Sequence, residues 1–96
     1  MKIKLQSVNF DANEQLKAFV EKRVGKLSRF YGEIIEADVV MTVEKPEQAR
    51  NKKARITLSI KGPDLFSEKK ADTFEEALVE ACEALEVQLE KHKAKK

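Results

Sequence analysis

The chain has 96 residues, of which 42% are hydrophobic and 38% are charged, and its net charge is +2. At about 100–200 residues per domain this is a single domain, residues 1–96, and no apolar run approaches the roughly 18 residues needed to span a bilayer. One cysteine and one histidine cannot form an internal disulfide or supply the four ligands of a typical structural zinc site. We therefore expect no metal and no cofactor. The first residues lack the apolar stretch of a signal peptide, which predicts a cytoplasmic protein without a membrane contact.

The charges are unevenly distributed along the chain. Residues 1–62 hold 13 basic and 8 acidic residues, residues 63–90 hold 2 and 9, and residues 91–96 hold 4 and none. A basic front and a basic tail on either side of an acidic stretch indicate an anionic partner, provided that the positive parts meet in space.

The first two predicted elements are a strand and a helix. Alternation of apolar and polar residues over residues 2–8 predicts the strand. Asp11 or Asn13 can cap the helix, which runs to about Phe30. Gly25 lies inside the helix and costs about 1 kcal/mol relative to Ala, so packing on a sheet must hold the helix in place. The apolar residues recur on one face: Leu16, Phe19, Val20, Val24, Leu27 and Tyr31.

Three strands are predicted next. Residues 36–44 are rich in β-branched side chains, and residues 45–53 have the composition of an exposed loop. Residues 54–61 alternate most clearly between apolar and polar side chains. After a turn at residues 62–64, residues 65–71 form a strand polar enough to lie at a sheet edge.

A second helix follows, capped by Asp72 or Thr73. Its apolar stripe comprises Phe74, Ala77, Leu78, Ala81, Leu85 and Leu89, and its glutamates gather on the opposite side. The order is βαβββα, an α+β domain. Because the strands alternate between apolar and polar side chains, we expect a four-stranded, mainly antiparallel sheet with both helices on one face.

Four stretches of the sequence carry a resemblance to a known family. They are residues 16–22 (LKAFVEK), 25–27 (GKL), 39–45 (VVMTVEK) and 85–93 (LEVQLEKHK). In this order and spacing the chain resembles, over essentially its full length, the bacterial ribosome hibernation promoting factors, also called ribosome-associated translation inhibitors or sigma-54 modulation proteins. It is similar to the short type, which lacks the second domain that pairs ribosomes.

The resemblance implies a protein that is not an enzyme and has no small-molecule substrate. Its partner would be the small ribosomal subunit with its rRNA, in the channel that holds messenger RNA and the anticodon ends of transfer RNAs. Occupancy of that channel would inhibit translation in stationary phase or under stress, and the free protein would be a monomer. In the last helix, basic residues that are frequent in the family are replaced by Ala84, Val87 and Glu90.

The candidate RNA contacts are basic. On a helical wheel Lys22, Lys26 and Arg29 lie within about 60° of each other, forming a basic ridge beside the apolar stripe. Arg23 falls within the apolar sector. Its position is equally compatible with two roles: its aliphatic stem can pack while the guanidinium reaches solvent, or the guanidinium can contact a phosphate. The resemblance adds Lys45, and the lysines at the end of the last helix can extend the ridge along phosphates. The predicted RNA-binding residues are Lys22, Arg23, Lys26, Arg29, Lys45, Lys91, Lys93 and Lys95.

The aromatic and reactive side chains argue against base stacking and against catalysis. Phe10, Phe19, Phe30 and Phe74 fit core or staple positions, which leaves Tyr31 and Phe66 as possible stacking groups. His92 is expected to be partly packed, Cys82 to be a buried inert thiol, and the glutamates lack an apolar pocket that would perturb their pKa values.

Two other functions are compatible with the sequence. One is a protein-binding adaptor or transcription modulator that acts through the acidic face of the last helix, at Glu76, Glu80 and Glu83. The other is a free-standing binder of double-stranded RNA, which ranks last because no glycine-lysine-rich helix start is present to reach across a major groove.

Overall fold

The computed structural model describes residues 1–45, 49–62 and 64–94. Its elements are β1 (Lys2–Val8), α1 (Glu14–Phe30), β2 (Ile34–Val43), β3 (Lys52–Ile60), β4 (Leu65–Ala71) and α2 (Phe74–Ala94). The predicted βαβββα order is confirmed. The second strand begins two residues earlier than expected, directly after a short turn at the end of α1.

The four strands form one sheet in the order β1-β2-β3-β4. β1 and β2 are parallel, with Lys2 opposite Glu36, because α1 returns the chain to the end of the sheet where β1 began. β2/β3 and β3/β4 are antiparallel pairs, and a register shift between Ile34 and Glu36 interrupts the β2/β3 ladder. The sheet is therefore mixed but mainly antiparallel, with β4 at one edge as predicted.

A single hydrophobic core lies between one face of the sheet and both helices. Alternate residues of β2 and β3 are buried there: Ala37, Val39, Met41, Ala54, Ile56, Leu58 and Ile60. α1 contributes Leu16, Val20, Val24 and Leu27, and α2 contributes Phe74, Ala77, Leu78, Ala81, Cys82, Leu85 and Leu89. The opposite face of the sheet carries the polar alternates, which confirms that both helices pack on one face.

The helix starts are set by side-chain caps. Of the two candidates before α1, Asn13 is the cap, because its Oδ1 accepts a hydrogen bond from the Leu16 N–H at 2.8 Å. Thr73 caps α2, with its Oγ1 accepting from the Glu76 N–H at 3.1 Å. Phe10, which precedes α1, stacks on Phe74, the first residue of α2, with ring centroids 4.3 Å apart. The two helices therefore begin side by side.

The helices also end side by side. α1 ends at Phe30, and the next residue, Tyr31, caps it with extended backbone angles. The buried Tyr31 ring meets the His92 ring of α2 edge-on, with centroids 5.7 Å apart. This confirms the partly packed His92. Because both helices run in the same direction, their C-terminal ends, and the basic residues there, lie at one end of the domain.

Candidate nucleic-acid interface

Three of the predicted cations lie together on the C-terminal half of α1. Lys22, Lys26 and Arg29 are exposed, and no described carboxylate forms an ion pair with any of them. They line one surface groove together with Glu21, Gly25 and Ser28. The Ser28 hydroxyl donates to the Gly25 carbonyl oxygen at 2.7 Å, so its own hydrogen is used within the helix. The basic ridge is therefore a row of positive charges whose ammonium and guanidinium groups are available to an anion.

Arg23 lies between the helices. It is half-buried, and its Nε is buried without a hydrogen-bond partner among the described residues. Burial raises the pKa of the neighbouring Cys82 thiol to about 11, and the positive charge of Arg23 partly opposes that rise. The half-buried Arg23 thus lies on the α2 side of α1, whereas the three residues of the basic ridge face solvent. Cys82, 1% exposed, is the buried thiol that the sequence predicts.

The end of α2 extends the ridge. Lys91 and Lys93 are exposed on its last turn. The Nζ of Lys93 donates to the Phe30 carbonyl oxygen at 2.9 Å and lies 4.8 Å from the centre of the Phe30 ring. The structure therefore brings the end of α2 against the end of α1, as the helix arrangement required. Lys95 lies outside the described residues.

Lys45 is separated from the other candidates. It lies two residues after the end of β2 at Val43, whereas α1 ends beside the first residue of that strand, and ten residues of strand span about 33 Å. The neighbour of Lys45 is Glu44, which forms an ion pair with Lys70 at 2.9 Å. The hydrogen bond from Lys70 is the main reason that the pKa of Glu44 lies below its ordinary value. The structure does not place Lys45 in one site with the basic ridge.

Two predictions about aromatic side chains were wrong. Tyr31 is 4% exposed, and its hydroxyl lies 3.1 Å from Glu33 Oε2, so it is not available for base stacking. Phe30, expected at a core or staple position, is 37% exposed because it lies off the buried stripe at the last position of α1. Phe66 is exposed on the open face of the sheet, and the Arg55 guanidinium lies over its ring. Outward positions on β3 and β4 could have indicated this pair, since both residues alternate with buried ones.

The acidic side chains form a second surface, on the first half of α2. Glu76, Glu80 and Glu83 are exposed, and no described cation forms an ion pair with them. Glu76 and Glu80 also line a groove with Asp72 and Arg50, whose backbone N–H donates to Asp72 Oδ1 at 2.8 Å. In the described ranges, no group of three or more His, Cys, Asp or Glu side chains could hold a metal ion. No helix over those residues is long and apolar enough to cross a membrane.

Comparisons with known proteins agree with the fold. The chain is 28% identical to the "Ribosome hibernation promoting factor" of Azotobacter vinelandii, covering 99% of this chain and 85% of that one. It is 30% identical to the "Ribosome hibernation promotion factor" of Bacillus subtilis, of which it spans 50%.

Two solved structures are similar to the whole domain. The N-terminal domain of Thermus thermophilus Protein Y matches with a TM-score of 0.81 and 25% identity over 96% of this chain and 99% of that chain. A ribosomal subunit interface protein from Coxiella burnetii has a TM-score of 0.87 over 98% of this chain and 99% of that one, and at 20% identity it supports the fold alone. The sequence pattern of one family matches residues 3–96. The chain belongs to the sigma 54 modulation protein / S30EA ribosomal protein family.

Proposed function

We propose that this protein is a non-enzymatic, cytoplasmic factor that binds the small ribosomal subunit through its rRNA and inhibits translation during stationary phase or stress. It would occupy the channel for messenger RNA and transfer RNA, as a monomer before binding and without a cofactor. Family membership and the names of the two curated relatives support a role in ribosome hibernation. The residues that would contact rRNA are identified from the exposed charges of this chain.

The observation that carries the proposal is the unneutralised basic ridge. Lys22, Lys26 and Arg29 face solvent without a carboxylate partner, and Lys91 adds a fourth cation at the same end of the domain. Such a row can follow the phosphates of an RNA backbone and needs no particular base sequence. Each phosphate contact releases counterions, so four contacts predict that log K falls with log salt at a slope of about −3.

The test is sedimentation with purified ribosomal subunits over a range of salt concentrations. The wild-type protein should pellet with the small subunit at low salt and dissociate as salt rises. The Lys22→Glu, Lys26→Glu variant should fold normally, because the changed side chains do not enter the core. It should bind far more weakly, because two positive charges that face the phosphates become negative. Lys69→Glu, Lys70→Glu is the charge-matched control, since both exposed side chains lie near the other end of the sheet.

Two results would contradict the proposal in different ways. Failure of the wild-type protein to pellet with small subunits at low salt would exclude ribosome binding. Equal loss of binding in both double variants would show a dependence on net charge alone, with no role for the ridge on α1.

A second candidate function is an adaptor or transcription modulator that binds a basic protein segment. The observation that favours it is the set of unpaired carboxylates Glu76, Glu80 and Glu83 on α2. The Glu76→Lys, Glu80→Lys variant separates the two functions. This variant should leave ribosome binding intact if the basic ridge forms the contact. If the acidic face forms the contact, the variant should lose its binding to the basic protein segment.

A further inference from the structure

We propose that the open face of the sheet carries a stacking site for an unpaired nucleobase, formed by Phe66 on β4 and Arg55 on β3. This inference rests on the proposed function and extends it, because the site lies on the face of the sheet opposite the helices and the basic ridge. The protein would then contact RNA on two opposite sides, with phosphates along α1 and one unpaired base on the sheet.

The first observation is the position of the aromatic ring. Phe66 is 46% exposed, and its neighbour Ser67 faces the core, so the Phe66 side chain projects from the solvent face of the sheet. It is the one aromatic residue on any of the four strands. An exposed aromatic ring on a flat sheet offers a surface for a base, because every nucleobase has a π face that stacks on it.

The second observation is that the neighbouring Arg55 has no ion-pair partner among the described residues. The Arg55 guanidinium carbon lies 4.9 Å from the centre of the Phe66 ring. Glu68 lies directly opposite Arg55 in the β3/β4 ladder, yet its carboxylate approaches Lys53 at 3.7 Å instead. No described carboxylate pairs with Arg55. A guanidinium that stacks on a ring and keeps its N–H groups unpaired can also bind the phosphate attached to a stacked nucleotide.

The third observation is that the backbone under the ring is fixed. Gln88 of α2 donates from Nε2 to the Phe66 carbonyl oxygen at 2.8 Å, so the helix ties down the edge strand at this residue. Arg55 belongs to β3, which is hydrogen-bonded on both sides. The backbone of both residues is therefore fixed before a ligand arrives, which reduces the entropy cost of binding.

The surroundings favour a nucleic acid over a protein partner. A protein interface places its anchoring aromatic residue in an apolar, water-excluding patch. Here the ladder neighbours of the pair are Thr57, Glu68 and Val40, and the salt-bridged Lys53 lies two residues along β3. An isolated ring beside an unpaired guanidinium in a polar surface fits one base and its phosphate.

The test uses the absence of tryptophan from the chain. In the Phe66→Trp variant the single indole reports on the site, and stacking of a base should quench its fluorescence. We expect quenching by a short single-stranded oligouridylate and by small subunits, and much less by an RNA duplex, whose bases are already stacked. Gln15→Trp is the control, since Gln15 is exposed in the first turn of α1, remote from the basic ridge and on the opposite side of the sheet from Phe66.

Affinity measurements complete the test. Phe66→Leu should weaken binding of the oligouridylate and of small subunits about tenfold, the lower part of the range for one stacked base. Phe66→Tyr should retain wild-type affinity, and Phe30→Leu, at the other exposed phenylalanine, should not affect oligouridylate binding. Thermal unfolding of each variant identifies any loss of fold, and Phe66→Tyr and Phe66→Trp preserve an aromatic ring.

The outcomes separate this inference from the proposed function. Wild-type affinity in Phe66→Leu, or no quenching in Phe66→Trp, would overturn the stacking site while ribosome binding through the ridge persists. Weaker ribosome binding in Phe66→Leu without any quenching would identify a protein contact at Phe66 and equally overturn it. Quenching by oligouridylate in a protein that does not pellet with ribosomes would support the site and refute the proposed function.

Discussion

Lys93 near the end of α2 donates a hydrogen bond to the carbonyl oxygen of Phe30, the last residue of α1, at 2.9 Å. The ammonium group also lies over the Phe30 ring. Backbone carbonyls in the last turn of a helix have no partner within the helix, and they lie at the negative end of its dipole. Lys93 satisfies one of these carbonyls although it lies 63 positions further along the chain, so its side chain joins the two helix ends.

We expect Lys93→Ala to lower the free energy of unfolding by about 1 kcal/mol, since a charge-assisted hydrogen bond and a cation–π contact are lost at a solvent-exposed site. Urea denaturation measures the change. Lys91→Ala is the control, because Lys91 has the same charge and also lies in the last turn of α2 but has no described hydrogen-bond partner. Equal destabilisation by both variants would show that the contact with Phe30 contributes nothing beyond the helix dipole.

The Cys82 thiol should be unreactive in the folded protein. Burial raises its pKa to about 11, so the thiolate that reacts with alkylating agents is scarce below that pH. The neutral thiol favours the folded state, and this contribution is present at neutral pH and lost as the pH rises towards 11. We expect slow alkylation at pH 8 and rapid alkylation in urea, followed by mass spectrometry. Rapid labelling of the folded protein would contradict the packing of α1 against α2.

Ser67 should tolerate removal of its hydroxyl. It is 5% exposed on the core side of β4, and its Oγ has no hydrogen-bond partner among the described residues. An unsatisfied buried hydroxyl costs about 1–3 kcal/mol, so Ser67→Ala should leave stability unchanged or raise it. Thr73→Ala should instead lose about 1 kcal/mol, because that hydroxyl caps α2. A loss in Ser67→Ala as large as in Thr73→Ala would reveal a partner for Ser67.

Occupancy of the ribosomal channel predicts competition. Purified protein should lower translation in a cell-free extract, and ribosomes already loaded with messenger RNA and initiator transfer RNA should be protected, because one channel cannot hold both. Inhibition measured with and without preloading decides this. Equal inhibition of loaded and empty ribosomes would place the protein outside the channel, even if the basic ridge binds rRNA.

The sequence predicts much of the fold because periodicity is a local property. The buried face of α1 and the clear alternation in β3 follow from residue spacing alone. The relative positions of distant residues do not. Lys22, Lys26 and Lys45 appear in matching stretches of the sequence, yet Lys45 lies at the opposite end of the sheet from the other two because β2 runs the length of the sheet between them. The contacts of Phe66 with Arg55 and Gln88 depend on strand register and helix placement, which no short window of sequence contains.

Gly25 connects the stability of α1 with access to its surface. A Cβ at this position would meet no atom within 4 Å, so the packing does not require glycine there. Gly25→Ala should therefore stabilise the folded protein by about 1 kcal/mol through helix propensity. Gly25 also lines the groove that holds Lys22 and Arg29, so the added methyl group would take up part of that groove. Under the proposed function, Gly25→Ala would therefore make the helix more stable and at the same time weaken the binding of RNA phosphates in this groove.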